Sequence, residues 1–501
     1  MKNRVLVIGA GSVGTNTSIF LASLGYDVVL LDAGQDILTG APQVTFINHG
    51  DGFEYFKPEH TKTGEYCIEG SLTKALFYPF SALTTGVCSA SNPIRFLVAS
   101  GSVTTQKVSP NEFSKNAAHM QMHYSSKYKA LTSSARLSES DAEAVFVRSP
   151  ETFMRLLSTN EFEDVHDVVA GASGVGFGIN MPHYYALLKA ALRKQQLECH
   201  FSVTVDAIVK TADGMYEVRT KERVWSAAQV LICSSHHIPQ LASRIHGEAL
   251  TREFPGTYYL NCMTFLRLPA TKVEERLRLS NKITFTLMEE YGGMLASVVP
   301  PTAEADGLAA IYYPGPKGSQ LAAHVCKRGD VSEPPKGWDN QIENGLSNDH
   351  PNVQGCFKQA CYLYPYLRGY AEIRHTVCRT VFNIGVSGSN YGQDRRVREL
   401  SNAFHAVTAD GRVSAWTGPK WTNAELTALM AADYVLEHSG RDPLPKSTGA
   451  GCGPSGLDVG KISNMFNFRN IKMNIEDAKR YAELARLPER MILTNLPQFQ
   501  T

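Results

Sequence analysis

The residues most capable of chemistry lie at the start of the chain, in a Gly-x-Gly-x-x-Gly turn. Gly9, Gly11 and Gly14 follow a short apolar run, and Asp32 follows a second one. In such a turn the first glycine allows a tight bend, the second allows close approach of a pyrophosphate, and the third lets a helix pack on a strand. An acid at the spacing of Asp32 is placed to accept hydrogen bonds from a ribose diol. The pattern therefore predicts a strand–helix–strand unit that binds a dinucleotide, with the helix N-terminus directed at its phosphates.

Two groups of histidines have to be weighed as metal ligands. His119 and His123 are four residues apart, so they share one face of a predicted helix. No glutamate lies between them and no third ligand is nearby, so helix-surface histidines are the favoured interpretation and no metal is expected. His236 and His237 alternate if the chain is extended there, which prevents them from sharing one metal.

Composition limits the class of protein. A chain of 501 residues is long enough for two or more domains, and with a net charge of +1 it has no bulk field that favours nucleic acid. The ten cysteines contain no Cys-x-x-Cys, which indicates a reducing, cytoplasmic compartment rather than a disulfide framework. The first strand begins at Arg4, so no cleavable signal peptide is expected. No apolar run reaches 18 residues, so no transmembrane segment is expected, and peripheral membrane contact stays open.

Periodicity and turn signals predict the elements that must position these residues. We expect a loop over 39–70, helices over 15–24, 110–160, 183–195, 421–437 and 475–487, strands over 198–209, 215–220, 229–233, 255–315 and 360–386, and an irregular loop over 316–355.

The order of these pieces resembles the FAD-dependent oxidoreductases of the D-amino-acid-oxidase type, which include glycine and sarcosine oxidases, L-2-hydroxyglutarate dehydrogenase and malate:quinone oxidoreductase. Four segments carry the resemblance: the glycine turn with Asp32, residues 48–55 with 67–70, residues 204–208, and residues 418–422. Two features depart from the family pattern. The strand at 230–233 continues into Ser-Ser-His-His where an Ala-x-Gly-like turn is usual, and the tail beyond residue 440 is extra.

The resemblance implies an α/β fold, in which a Rossmann-like FAD-binding domain of the glutathione-reductase type is interleaved with an α+β substrate domain. The expected segments are 1–90, 166–245 and 376–440 for the FAD-binding domain, 91–165 for a cap, 246–375 for the substrate domain, and 441–501 for a C-terminal extension.

The resemblance also implies that FAD is the cofactor. The valine of the third segment holds adenine through its backbone in such folds, and the fourth segment opens a helix that points at the flavin pyrimidine. The residues expected at the cofactor are Gly9, Gly11, Ser12, Val13, Gly14, Asp32, Ala33, Asn48, His49, Gly50, Val205, Gly418, Lys420, Trp421 and Thr422. His49 is expected near the flavin as a base, a hydrogen-bond donor or a covalent attachment point, and capping of backbone groups is the alternative.

The expected substrate is a small carboxylate, oxidised at a C–H bond next to a hydroxyl or an amine, with oxygen or quinone as the electron acceptor. Arg374 and Arg379 are the candidate carboxylate anchors, because a guanidinium binds a carboxylate in a bidentate manner. In a regular strand these two arginines lie on opposite faces, so only one of them could face the substrate. The alternatives are surface ion pairs for both arginines, and for the whole chain an NAD(P)-dependent dehydrogenase or a non-catalytic flavin-binding protein.

Overall fold

A computed structural model gives the fold of the chain. It describes residues 3–40, 47–48, 61–78, 88–91, 94–98, 115, 168–173, 176–251, 256–270, 284–286, 294–299, 306–314, 338–363, 367–384, 404–418, 421–448, 453–466, 468, 470–485 and 499–500.

The described helices, numbered here along the chain, are α1 (Ser12–Ser23), α2 (Thr61–Phe77), α3 (Met181–Lys194), α4 (Ile238–Ala242), α5 (Asp339–Asn344), α6 (Pro351–Leu363), α7 (Ala424–His438), α8 (Val459–Ile462) and α9 (Ile475–Ala485). Short 3-10 turns at Ser235–His237 and Trp421–Asn423 precede α4 and α7.

The described strands are β1 (Arg4–Ile8), β2 (Asp27–Leu31), β3 (Ile47–Asn48), β4 (Cys88–Ser91), β5 (Ile94–Val98), β6 (Val168–Ser173), β7 (Gly176–Ile179), β8 (Glu198–His200), β9 (Val205–Lys210), β10 (Tyr216–Thr220), β11 (Val224–Ala227), β12 (Gln229–Ile232), β13 (Ile245–His246), β14 (Gly256–Leu268), β15 (Thr284–Thr286), β16 (Met294–Val299), β17 (Gly307–Pro314), β18 (Glu372–Ile384), β19 (Phe404–Val407), β20 (Val413–Thr417), β21 (Met473–Asn474) and β22 (Phe499–Gln500).

The first sheet has the order β19-β20-β12-β1-β2-β8 and is parallel except at β19. Its central strands are buried on both faces, which explains why their sequences are continuous apolar runs instead of alternating ones. Helix α1 connects β1 to β2, as the glycine pattern predicts, and α7 packs beside it. This sheet is the Rossmann-like part of the predicted α/β fold.

A second sheet has the order β18-β14-β17-β16-β15-β5-β6 and is the core of the other domain. Its two longest strands, β14 and β18, pair along almost their whole length. A smaller sheet, β11-β10-β9-β13, branches from the first one, and a three-stranded sheet joins β3, β7 and β4. The chain passes back and forth between the parallel sheet and the seven-stranded sheet, so the predicted interleaving is present.

Several predicted elements differ from the structure. The strand expected over 198–209 is two strands in different sheets, because Ser202 has φ +59° and its amide donates to the Gly34 carbonyl, which turns the chain over the end of β2. The loops expected over 39–70 and 316–355 contain the start of α2, all of α5 and the start of α6. Residues 360–363, expected to be extended, end α6. Its apolar residues Val353, Cys356 and Ala360 are buried at helical spacing.

Strand pairing also bears on the expected domain boundaries. Residues on both sides of the boundary at 375/376 belong to β18 and pair with β14 in the seven-stranded sheet. Strand β6, after the boundary at 165/166, pairs with β5 in the same sheet. The chain therefore returns to the parallel sheet later than expected at both places. The predicted cap segment and helix over 110–160 lie almost wholly outside the described residues.

The C-terminal extension packs into the core of the first domain. Phe466 and Phe468 are buried against Phe20 of α1, and Tyr481 of α9 lies on Tyr185 of α3 with ring centroids 5.0 Å apart. Among the helices that the structure describes, none combines the length and apolar character needed to cross a lipid bilayer.

Candidate dinucleotide and flavin site

The first and third glycines of the turn are required by the protein itself. Gly9 has φ +106°, and a Cβ atom on it would lie 2.7 Å from the backbone of Cys233. A Cβ atom on Gly14 would lie 1.9 Å from the Gly9 carbonyl oxygen, so α1 reaches β1 only because the residue has no side chain. Both predicted roles, the tight turn and the close helix–strand packing, agree with this geometry.

Gly11 differs from the other two glycines because a Cβ atom on it would meet no atom of the described residues within 4 Å. It is the N-cap of α1 with φ −67°, and no described side chain caps the helix or places an acid in its first turn, which contains Ser12, Val13 and Gly14. A helix N-terminus whose amides are not capped attracts an anion. The open space at Gly11 and the uncapped turn together fit a pyrophosphate.

Asp32 comes directly after β2, at the carboxyl edge of the parallel sheet. Its carboxylate accepts hydrogen bonds from the backbone amides of Ala10 and Gly34, the latter at 2.6 Å. Burial raises the pKa of the Asp32 carboxyl, while those two amides and the nearby His237 act to lower it. Each carboxylate oxygen can accept a second bond, so the residue is still suited to a ribose diol. Ala33 beside it is exposed.

Val205 begins β9 close to this edge and is buried. The chain reaches it from β8 through backbone bonds that join Asp32 to His200 and to Val203. The Val205 carbonyl accepts a hydrogen bond from the Arg244 guanidinium. The predicted adenine-binding segment therefore lies beside Asp32, and a side chain holds one of its carbonyl groups in place.

The turn after β12 is one of the two features in which the sequence departs from the family that it resembles. Cys233 donates its amide to the Ile8 carbonyl at 2.7 Å, and its backbone lies against Gly9. Ser235 has φ +50°, and the rings of His236 and His237 lie 4.0 Å apart. Burial lowers the pKa of His236, and His237 lowers it further. The two histidines therefore lie at the carboxyl edge of the parallel sheet, with His237 near Asp32. Their spacing in the sequence carries no signal for this position.

The predicted segment 418–422 directly contacts the helix α1 that follows the glycine turn. The Trp421 Nε1–H donates to Ser12 Oγ at 2.5 Å, although the two residues are 409 positions apart. Gly418 directly follows the last residue of β20. Asn423 is buried, and its side-chain amide donates to the Tyr66 carbonyl of α2 at 2.7 Å. The start of α7 is therefore adjacent to the start of α1, and Thr422 lies in the 3-10 turn between Trp421 and Asn423.

A buried ion pair lies beneath this junction, between Lys74 of α2 and Glu425 of α7. Both side chains are fully buried, and Tyr184 of α3 donates to the same carboxylate at 2.8 Å. Burial and the neighbouring Glu425 raise the pKa of the Tyr184 hydroxyl, so it stays a donor. Sequence reasoning missed this pair. No local sequence pattern links a lysine on α2 to a glutamate on α7 that lies 351 residues later.

The two candidate arginines lie at different kinds of position on β18. Arg374 is exposed at a bulge, where the pairing passes from His375 opposite Phe265 to Ile373 opposite Leu266. The bulge interrupts the regular alternation of the strand. The prediction that the two arginines lie on opposite faces therefore does not apply here, because it assumed a regular strand.

Arg379 is half-buried and lies opposite Asn261 in the pairing with β14. It shares its face with Val377 and Met263, which belong to a core that is continuous with the first domain. Its guanidinium donates to the Ile342 carbonyl at 3.0 Å and to the Cys378 carbonyl at 2.7 Å.

Some predicted site residues lie outside the described residues, namely His49, Gly50 and Lys420, as do His119 and His123. Asn48 ends β3, where its backbone pairs with Phe177. Within the described part of the chain, no group of three or more histidine, cysteine, aspartate or glutamate side chains is arranged to hold a metal ion.

Solved structures of other proteins share this arrangement of sheets. Glycine oxidase from Geobacillus kaustophilus matches 87% of this chain and 95% of its own with a TM-score of 0.55 at 14% identity. The protein shares the fold of this glycine oxidase. L-α-glycerophosphate oxidase from Mycoplasma pneumoniae, solved with FAD bound, matches 90% of this chain and 98% of its own with a TM-score of 0.52 at 14% identity.

L-proline dehydrogenase from P. horikoshii matches 89% of this chain and 95% of its own, with a TM-score of 0.52 at 12% identity. No protein-family model matches the sequence, and no curated protein sequence matches it. The predicted fold class is confirmed, and at these identities the likeness extends to the fold alone.

Proposed function

We propose that this protein is an FAD-dependent oxidoreductase that oxidises a C–H bond next to a hydroxyl or an amine of a small carboxylate substrate. The observation that carries the proposal is the contact between Trp421 and Ser12, at 2.5 Å. It joins the uncapped start of α1, which suits a pyrophosphate, to the start of α7, which suits the pyrimidine edge of a flavin. Bound FAD would accept a hydride from the substrate.

Different residues of the chain would bind different parts of FAD. Gly11 and the first-turn amides of α1 would receive the pyrophosphate, and Asp32 would receive the ribose of the adenosine. The backbone at Val205 would contact adenine. The positive end of α7 at Trp421 would stabilise negative charge on the pyrimidine edge of the ring.

The likeness in fold supports both proposed kinds of substrate. Proteins with this fold include a glycine oxidase and an L-proline dehydrogenase as well as an L-α-glycerophosphate oxidase. A carboxylate anchor in this chain is best assigned to Arg379, because it lies on the face of β18 that shares a core with the first domain. Oxygen or a quinone would accept the electrons afterwards.

The test begins with the visible spectrum of the purified protein. We expect yellow protein that releases FAD into the supernatant on acid precipitation. Flavin retained in the pellet would instead indicate a covalent link, with His49 as the first candidate. Anaerobic bleaching by one member of a panel of 2-hydroxy and 2-amino acids would then identify the substrate class. Colourless protein that takes up no added FAD but binds NAD(P) would overturn the proposal.

A further inference from the structure

A closed ring of buried and partly buried contacts joins the two ends of the proposed FAD site. It runs from the first residue of α1, through α3 and α2, to the residue that opens the 3-10 turn before α7. Its members are Ser12, Asn16, Lys74, Tyr184, Trp421 and Glu425.

One half of the ring consists of neutral hydrogen bonds. Trp421 Nε1–H donates to Ser12 Oγ at 2.5 Å, and the side-chain amide of Asn16 donates to the Ser12 carbonyl at 2.8 Å. The same amide donates to the Tyr184 hydroxyl, also at 2.8 Å. The N-terminal turn of α1 is therefore tied both to the indole of Trp421 and to α3.

The other half of the ring is charged. The Tyr184 hydroxyl donates to one carboxylate oxygen of Glu425 at 2.8 Å, and Lys74 pairs with the other oxygen. The Lys74 ammonium lies 4.1 Å from the centroid of the Trp421 ring, which closes the ring of contacts. The Tyr184 ring meets the same indole edge-on at 5.6 Å. The position of Trp421 is therefore set by a cation, an aromatic ring and a hydrogen bond at once.

An ion pair in such a place calls for an explanation. Lys74 and Glu425 have no exposed side-chain surface, and taking two charges out of water costs more than their attraction commonly returns. Two apolar residues of similar volume would pack the same space at least as stably. What an apolar pair could not supply is a cation over the indole and an acceptor for Tyr184.

We propose that Lys74 and Glu425 are positioning residues that hold Trp421 on Ser12 and thereby fix the spacing between the pyrophosphate end and the flavin end of the site. This positioning role rests on the proposed function, in which the site binds FAD. Neither residue touches the cofactor in this role. They act through Trp421, whose backbone opens the turn that would face the flavin.

The test separates positioning from stability. Lys74→Met alone leaves the Glu425 carboxylate buried without its cation, so we expect a lower Tm. The double variant Lys74→Met/Glu425→Gln removes both charges, keeps the volume and keeps an acceptor for Tyr184, so the Tm of the apoprotein should return towards the wild-type value. We expect its Kd for FAD to stay about 10- to 100-fold above that of the wild type, because the cation over Trp421 is still missing.

A second variant tests the same idea without disturbing the charges. Trp421→Phe keeps a ring between Lys74 and Tyr184 but removes the Nε1–H that binds Ser12. We expect about 5- to 10-fold weaker FAD binding, measured by flavin fluorescence, with little change in the Tm of the apoprotein.

Lys446→Met is the matched control, because it breaks an ion pair with Asp433 in the C-terminal half of α7, away from the turn that opens the helix. It should lower the Tm slightly and leave the Kd for FAD unchanged. If both the double variant and Trp421→Phe bind FAD within twofold of the wild type, the ring is structural only and the inference is overturned. Wild-type protein that takes up no FAD would instead overturn the proposed function itself.

Discussion

Among single residues, the three glycines of the turn differ in whether contacts within the protein require them. Gly9 and Gly14 are fixed by backbone atoms of the chain, at distances that exclude any side chain. Gly11 has an ordinary φ, and a Cβ atom on it would contact none of the described residues, so the described part of the fold does not require a glycine there. A ligand that approaches this position from outside would explain the glycine at position 11.

This difference predicts the behaviour of two variants. Gly11→Val should fold with a near-normal Tm as apoprotein and lose FAD binding, because the side chain fills the space left for the pyrophosphate. Gly14→Ala should be poorly folded, since its Cβ meets the Gly9 carbonyl at 1.9 Å. Flavin content and thermal melting of the apoproteins measure the two effects separately. Normal flavin content in soluble Gly11→Val would contradict the assignment of the site.

The arginines of β18 give a second prediction at this scale. A bidentate pair between Arg379 and a desolvated carboxylate would contribute about 2–4 kcal/mol, so Arg379→Met should weaken apparent substrate affinity by about 30- to 1000-fold. Arg374→Met is the matched control on the same strand, because Arg374 is exposed at the bulge. Steady-state kinetics with flavin content checked in parallel would measure both. If Arg374→Met weakened substrate affinity more than Arg379→Met did, Arg374 would be the carboxylate anchor instead.

Among the helices and strands, the sequence predicts best those in which the apolar residues follow a single regular spacing. Strands β1 and β2, helix α1 and the long helix α7 lie where apolar patterning and turn signals put them. Helix α2 was hidden because glycines and threonines interrupt its apolar positions, and α6 because glycine and two cysteines stand on it. Contacts between distant segments, such as Lys74 with Glu425, have no local signal at all.

The connection between the small sheet and the parallel sheet gives an element-scale prediction. Burial acts to raise the pKa of Asp410, but bonds from Lys210, the Arg412 amide, Thr408 and Tyr216 outweigh it and lower the value to about 2. A carboxyl whose pKa is lower in the folded protein stabilises the fold above its ordinary pKa of about 4, and this contribution is lost as the pH falls towards 2.

Asp410→Asn should therefore lower the unfolding free energy by about 1–2 kcal/mol at pH 7 and have little effect near pH 2. Urea titrations at several pH values would measure the difference. Asp442→Asn, at an exposed aspartate, is the control and should change little at any pH. An effect of Asp410→Asn that did not depend on pH would mean that the carboxylate charge is not the cause.

At the scale of the whole molecule, the C-terminal extension completes the first domain. Asp433 of α7 accepts the Leu444 amide, Glu69 of α2 accepts the amide and hydroxyl of Ser455, and Arg193 of α3 pairs with Asp477. The extension therefore makes polar contacts with α2, α3 and α7 and aromatic contacts with α1, which are the four helices that carry the ring beneath the proposed flavin site. The sequence predicted an extension over 441–501 with a helix over 475–487, but no local pattern indicated these contacts, because the residues that make them are far apart along the extension.

The aromatic packing on α1 provides the final prediction. The Phe466 ring lies 4.5 Å from that of Phe20 and is almost fully buried, whereas Met465 beside it is 47% exposed. Phe466→Ala should lower the stability of the first domain by about 3–5 kcal/mol, because it leaves a cavity against α1. Met465→Ala should change it by less than about 0.5 kcal/mol. Because α1 also carries the pyrophosphate end of the proposed site, excess FAD should raise the Tm of Phe466→Ala. Equal stability of the two variants would show that the extension only lies on the surface of this domain.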